Sequence, residues 1–333
     1  MRRIVIPGGS GSVGRLLARH FYERGDHVTV LSRTPCPAPW TVAAWNGHEL
    51  GEWIKMIDGA DLVVNLAGRS VDCRYTTANR KEIMESRVNS TRAIGRAIAA
   101  ATRPPALWIN ASTATIYRHS LDREMDEATG ELGGDETGAP PTWKFSTEVA
   151  KAWEAAFFDA NTPGTRKVAT RSAIVMIPGA SWLGKLTNMM RWALGGTEGA
   201  GTQFMSWIHE NDFVRAMEFL IARNDMEGAV NVCSPNPLPN REFLRLMRGA
   251  FGIRLAPPLP EWVLRIGSML IRTEAELVLK SRRVVPGRLL DAGFEFAFPD
   301  WPSAIRDLAS RGPTSPPHNQ GQYHAEQQAH GQS

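Results

Sequence analysis

Seven residues near the N-terminus limit what this chain can fold into. Gly8-Gly9-Ser10-Gly11-Ser12-Val13-Gly14 follows the short β-branched run Ile4-Val5-Ile6 and leads into a stretch where Val13, Leu16, Leu17 and Phe21 share one helical face. Gly25 can end that helix, and Val28-Thr29-Val30-Leu31 reads as the next strand. Strand, glycine turn, helix and strand within about 30 residues make one βαβ unit. In such a unit the glycines permit a tight turn and let backbone N–H groups approach a pyrophosphate at the positive end of the helix. Gly8, Gly11, Ser12, Val13 and Gly14 are therefore expected to bind a dinucleotide. A glycine turn used only for packing is the plainer alternative.

The same alternation continues. Residues 61–66 read as a strand that ends at Ala67-Gly68, and 77–101 as a long helix stopped before Pro104-Pro105. Residues 106–110 read as a buried strand, 142–160 as a helix and 168–175 as a further strand. Alternating strands and helices predict an α/β fold, a Rossmann-type doubly wound parallel sheet covered on both faces, over residues 1–177. Past residue 178 the rhythm changes to short segments rich in Gly, Trp and Met, a Pro-rich stretch at 233–239, and helical patterns at 241–251 and 260–280. This predicts a smaller C-terminal α+β lobe over 178–310. Residues 311–333 contain no Leu, Ile, Val or Phe and read as a disordered tail. The spacing of His318, His324 and His330 invites a metal reading, but a polar tail accounts for it and no metal is expected.

Composition excludes several classes. A formal charge of +4 on 333 residues, with no run of like charges, gives no reason to expect a nucleic-acid partner. Three scattered cysteines (Cys36, Cys73, Cys233) match neither a zinc site nor a disulfide framework, which favours a reducing cytoplasm. No stretch approaches the roughly 18 apolar residues of a membrane span, and the apolar run behind Met1-Arg2-Arg3 is too short for a signal-peptide core. The expected partner is a small-molecule substrate, with a homodimer as the assembly considered.

The end of the second strand selects among cofactors. NAD sites usually place an Asp or Glu about 20 residues past the glycines, to bind the ribose 2′-hydroxyl. Here the sequence has Ser32-Arg33. A guanidinium cannot accept from a hydroxyl, but it pairs with a 2′-phosphate. NADP is the expected cofactor, with Arg15 as a second positive charge; a plain surface role for Arg33 is the alternative.

At these residues the chain resembles the extended short-chain dehydrogenase/reductases, the epimerase/dehydratase superfamily. Gly8-x-x-Gly11-x-x-Gly14 is similar to its glycine pattern, with Pro7 in place of the usual Thr. Asn65-Leu66-Ala67-Gly68 resembles its cofactor-lining segment, and the resemblance places Leu66, Ala67, Gly68 and Ser112 at the cofactor. Ser86-Arg87-Val88-Asn89, Trp153-Glu154 and Trp207-Ile208-His209-x-x-Asp212 are similar to motifs of an atypical branch that carries a C-terminal domain of unknown function. Residues 282–296 resemble that domain. Arg69 stands where the branch commonly has Glu.

Typical members use a Tyr-x-x-x-Lys pair, in which the Tyr moves a proton as hydride moves to or from the cofactor. This chain has four tyrosines, and four residues after Tyr22, Tyr75, Tyr117 and Tyr323 come Asp26, Asn79, Leu121 and Gln327. No pair exists, and the stretch 143–151 that should hold it has neither residue in register. Thr113, at the position that resembles the family's catalytic Ser/Thr, Tyr117 and Lys144 are the candidate catalytic residues. Local backbone bonding, aromatic packing and solvation are their respective plain alternatives. His209 suits acid/base work or a structural hydrogen bond with Asp212. Trp143, Trp182, Trp192 and Trp207 suit either a cleft wall or a core. The sequence thus predicts an NADP(H)-binding, epimerase-like oxidoreductase with a non-standard proton donor, acting on a small molecule. A non-catalytic, redox-responsive NADP(H) binder is the competing reading.

Overall fold

The computed structural model describes residues 1–137, 139–179, 181–191, 196–197, 199–253 and 279–311. Its centre is a parallel sheet of seven strands. These are β1 (Arg3–Pro7), β2 (His27–Ser32), β3 (Thr41–Ala44), β4 (Leu62–Asn65), β5 (Leu107–Thr113), β6 (Arg166–Ser172) and β10 (Gly228–Val232), in the order β10-β6-β5-β4-β1-β2-β3. Strands buried on both faces read as unbroken apolar runs, and Ile4, Val5, Ile6, Val63 and Val64 are almost fully buried.

Helix α1 (Ser12–Glu23) turns Gly14, Leu17, Ala18 and Phe21 inward, while the expected Val13 and Leu16 are only partly buried. Gly25, at φ +84°, ends it as a left-handed cap and donates to Tyr22 O at 2.9 Å. The other face of the sheet is covered by the short helix α2 (Ile54–Ile57) and by α3 (Thr77–Ala100), which packs on α4 (Pro141–Phe158). Thr76 caps α3 by accepting from Asn79 N.

Two expectations change here. The strand expected at 168–175 breaks at Ala173. Its second part, β7 (Ile174–Met176), pairs in parallel with β9 (Trp207–His209) outside the main sheet. The sheet also does not stop at residue 177, because β10 pairs with β6 and helix α6 (Glu210–Ala222) packs on α1. Asn231 hid β10 by interrupting its apolar run. That side chain accepts from Tyr117 and donates to Val285 O at 2.9 Å, so a polar residue serves a buried strand.

The second core joins α5 (Ser181–Arg191), β9, α7 (Asn240–Ala250) and the last helix, after β8 (Phe204–Met205) and β11 (Leu238–Pro239) have paired antiparallel. The closing segment supplies α8 (Gly287–Asp291) and α9 (Trp301–Ser310). Trp207 is fully buried against Trp301, and Trp182 packs near Phe243, so both are core rather than cleft wall. Trp192, most of the helix expected at 260–280 and the tail beyond Arg311 lie outside the described residues. Among the described residues no helix is long and apolar enough to cross a membrane.

Candidate functional site

In a parallel sheet the ends of the strands and the loops after them form one rim, and ligands bind there. Four loops at the carboxyl ends of β1, β2, β3 and β4 enclose a cavity of ≈ 590 Å³. Gly8 and Gly11 line it from the first loop, Ser32 and Arg33 from the second, Asn46 and His48 from the third, and Leu66, Ala67 and Gly68 from the fourth.

The glycines serve different purposes. A Cβ on Gly8 would lie 2.6 Å from Ala67 Cα, and one on Gly14 would lie 2.4 Å from Gly9 Cα. Close packing therefore demands both. Gly11 is different, since a Cβ there would meet nothing nearer than Gly8 O at 3.8 Å. Gly11 lines the cavity, and packing does not demand a glycine there. It is also the N-cap of α1, with no side-chain cap and no acid in the first turn. The N–H groups of Ser12, Val13 and Gly14 have no partner among the described residues. Orphan donors at a helix start are an anion site, which fits a pyrophosphate.

The fourth loop is held from beneath. Asn65 Oδ1 accepts from Ala67 N at 3.0 Å, while its Nδ2 donates to Asn110 Oδ1 at 2.7 Å and to Thr91 Oγ1 at 3.2 Å. Trp153 Nε1 donates to the same Thr91 oxygen at 3.0 Å. Ser86 and Arg87 clamp the far side, with Ser86 Oγ accepting from Arg69 N at 2.9 Å and Arg87 Nη1 donating to Arg69 O at 3.0 Å. Arg87 lies 5.1 Å over the Trp153 ring, a cation–π contact, and burial pushes its pKa down to about 10. The Ser-Arg-Val-Asn and Trp-Glu motifs thus meet under one cavity-lining loop. Arg69 itself lines the cavity and forms an ion pair with Glu82 of α3.

Arg33 is exposed on the cavity and makes no ion pair among the described residues. An arginine with an unspent guanidinium beside a helix-start anion site fits a second phosphate.

Two expected cofactor residues are placed elsewhere. Arg15 Nε donates to Ser10 O at 2.7 Å and staples the turn, and its side chain is not part of the cavity lining. Ser112 is buried and donates to Glu154 Oε1 at 2.5 Å. Glu154 in turn forms a bidentate pair with Arg171, at 2.9 and 2.8 Å.

The three expected catalytic groups do not converge. Tyr117 is buried, donates to Asn231 Oδ1 and accepts from Arg171 Nη1, both at 2.9 Å. Burial, outweighing the nearby Arg171, raises its pKa. A hydroxyl spent in both directions inside the core is no proton donor for a ligand. Lys144 is exposed on α4 and lies 4.0 Å from Glu148, as a solvated lysine does. Thr113 remains at the end of β5, where its Oγ1 accepts from Thr115 N at 3.2 Å and, among the described residues, keeps its O–H to donate. His209 pairs through Nε2 with Asp307 at 3.0 Å, not with Asp212. Asp212 instead accepts from Ala297 N and Phe298 N, each at 2.8 Å.

The sequence reading missed Asn46, His48, Arg69 and Ser86 in the cavity wall. The first two follow a short strand whose Pro-rich flank disguised it; the others were visible only as motif letters. It also passed over His119, which leaves the same strand end as Thr113.

Comparison with known proteins fits this geometry. Residues 4–233 match the family model described as the NAD dependent epimerase/dehydratase family, and residues 259–308 match a domain of unknown function, DUF1731. The human epimerase family protein SDR39U1 is 31% identical over 315 residues, covering 92% of this chain and 100% of the relative. A Staphylococcus aureus epimerase family protein is 28% identical, covering 93% of this chain and 100% of the relative. The crystal structure of human SDR39U1 with NADPH superposes with a TM-score of 0.80 at 30% identity, over 92% of this chain and 99% of that one. The chain belongs to the NAD dependent epimerase/dehydratase family, in the form that carries the DUF1731 domain at its C-terminal end.

Proposed function

We propose that this chain is an NADP(H)-dependent oxidoreductase of the epimerase-like type, acting on a small molecule without the usual tyrosine. The observation that carries this reading is Arg33. Among the described residues it has no ion-pair partner, and it stands at the end of β2 on the cavity that the start of α1 also serves. The NADPH in the related human structure supports the same assignment. In this chain the N–H groups of Ser12, Val13 and Gly14 would hold the pyrophosphate and Arg33 the 2′-phosphate. Bound there, the cofactor supplies hydride exchange at its nicotinamide.

Charge-assisted hydrogen bonds contribute about 1.5–3 kcal/mol. Arg33→Ala is therefore expected to weaken NADPH binding roughly ten- to hundredfold and to leave NADH binding nearly unchanged. Titration calorimetry with both cofactors checks this, and equal losses would remove Arg33 from the phosphate.

A second reading, NADP(H) binding without turnover, draws support from the burial of Tyr117 and the lack of a Tyr-x-x-x-Lys pair. Sustained NADPH oxidation with any member of a broad carbonyl panel would exclude it.

A further inference from the structure

The strand order sets the direction in which a dinucleotide crosses the sheet. Its pyrophosphate belongs at the start of α1, and Arg33 draws the adenosine end toward β2 and β3. The nicotinamide half must then run the other way, over the ends of β4 and β5. The segment that leaves β5 passes through a short 3₁₀ turn (Ala114–Ile116) and reaches His119. There the imidazole lies flat on the indole of Trp143, with centroids 4.8 Å apart and planes 14° apart. Trp143 stands in the first turn of α4, in the stretch where typical members of the superfamily carry their Tyr-x-x-x-Lys pair.

His119 is held at several points. Its N–H donates to Glu136 Oε1 at 3.1 Å, and its carbonyl accepts from Arg118 Nη1 at 2.9 Å. Ring Nδ1 accepts the N–H of Ser281 at 3.1 Å. A backbone N–H can only donate, so Nδ1 carries a lone pair and the neutral ring bears its proton on Nε2. Among the described residues Nε2 has no partner.

We propose that His119 binds the substrate's oxygen in place of the absent tyrosine, donating Nε2–H to a carbonyl or hydroxyl oxygen beside the nicotinamide, with Trp143 as the wall behind the ring. This rests on the NADP(H) reading above and adds the residue that meets the substrate. Thr113, with its O–H unspent, offers a second donor at the same strand end. The neutral state is built in. Burial lowers the pKa of His119, and Lys280, anchored 3.0 Å from Thr115 O, lowers it further, as does Arg118; Glu136 and Asp122 oppose them and are outweighed. A neutral imidazole polarises an oxygen without giving up a net proton, and protonating it would break the bond from Ser281.

The test uses the full chain with ¹⁵N-labelled histidine, saturated in turn with 2′-phospho-ADP-ribose, NADPH and NADP⁺. The fragment lacks the nicotinamide, whereas NADP⁺ differs from NADPH by a positive charge on that ring. His119 should show the Nε2-protonated neutral tautomer through neutral pH. Its resonance should differ between NADPH and NADP⁺ and stay unmoved by the fragment. An Nδ1-protonated ring, or the same response to all three ligands, overturns the proposal. If none of the three binds, the cofactor reading fails first and takes this one with it.

Two variants extend the test to turnover in the carbonyl panel. His119→Phe keeps a ring on Trp143 but has no donor, whereas His119→Gln can donate an amide N–H from the Nε2 position. Loss of one preorganised donor lowers turnover about a hundredfold. His119→Phe should show that loss at unchanged NADPH affinity, and His119→Gln should recover part of it. No loss in either variant, or equal loss in both, overturns the assignment.

Discussion

At the scale of single residues, Gly11 and Gly14 look alike in a motif and answer to different demands. The Cβ that alanine would add at position 14 lies 2.4 Å from the backbone of Gly9, an overlap that neither helix nor turn can absorb without moving. Overpacking of this kind costs about 1–3 kcal/mol. At position 11 the same Cβ makes only an ordinary contact, 3.8 Å from Gly8 O, so the weaker capping preference of alanine counts, roughly 1 kcal/mol. Gly14→Ala should therefore lower Tm clearly. Gly11→Ala should lower it less but weaken NADPH binding more, because Gly11 lines the cavity. Thermal melts and calorimetry on the two variants decide this, and parallel losses in both properties would refute the division of labour. The shape of the glycine turn and the place of Arg33 on the cavity were legible in the sequence, because they depend on backbone conformation and on position at a strand end. Ser112 was not. Successive residues of a strand face opposite sides, so Ser112 meets Glu154 beneath the sheet while Thr113 stays at the rim.

At the scale of elements, the βαβ rhythm placed β1, β2, β4, β5 and the long helices close to where they stand, because each is long or strongly apolar. β3 and β10 were lost, the first for its weak pattern and the second for Asn231. The start of α6 shows how a motif histidine can be structural. His209 is fully buried, stacks on Phe298 at 3.9 Å, caps α6 by accepting from Asn211 N at 3.1 Å, and donates through Nε2 to Asp307. Burial lowers its pKa, and the bond to Asp307 does not fully restore it. With its folded pKa below the unfolded value of about 6.5, the unfolded state binds the extra proton first. Its contribution to stability is complete above about pH 6.5 and declines as pH falls toward the lowered value. His209→Asn keeps a capping oxygen and cannot be protonated. It should be less stable than the parent at neutral pH, through loss of the Asp307 contact, and its Tm should fall less between about pH 7 and 5. His119 adds a slope of the same sign, so the comparison with the parent isolates His209. Equal slopes in the two proteins would show that His209 charges without cost.

At the scale of the whole molecule, the family-specific C-terminal stretch is bound into the rest of the chain rather than appended to it. Met125 N donates to Arg283 O at 2.8 Å and Val285 N returns to Met125 O at 3.0 Å, while Arg282 N donates to Phe204 O at 2.9 Å. Glu127 ties the same stretch to the main sheet, because its carboxylate accepts from Asn231 N at 2.7 Å and from Arg288 N at 3.2 Å. Ser281 holds the His119 ring, and Trp301 stacks on Phe243 at 4.0 Å to close the second core. A chain that ends at residue 253 would leave the backbone of partly buried Phe204 and of buried Met125, and the ring of Phe243, without these partners. Several unmet buried hydrogen bonds at about 1–3 kcal/mol each, with a lost aromatic core, exceed the roughly 5–15 kcal/mol by which a domain is stable. Such a truncation should show neither a cooperative unfolding transition nor NADPH binding. Residues 312–333 contain no Leu, Ile, Val or Phe, so a chain that ends at residue 311 should match the full chain in both measurements. The contrast matters because the two cuts remove very different chemistry from one end. If the chain ending at 253 still melts cooperatively and binds NADPH, the sheet folds without its C-terminal segment, and the hold of Ser281 on His119 would be an addition to a finished domain.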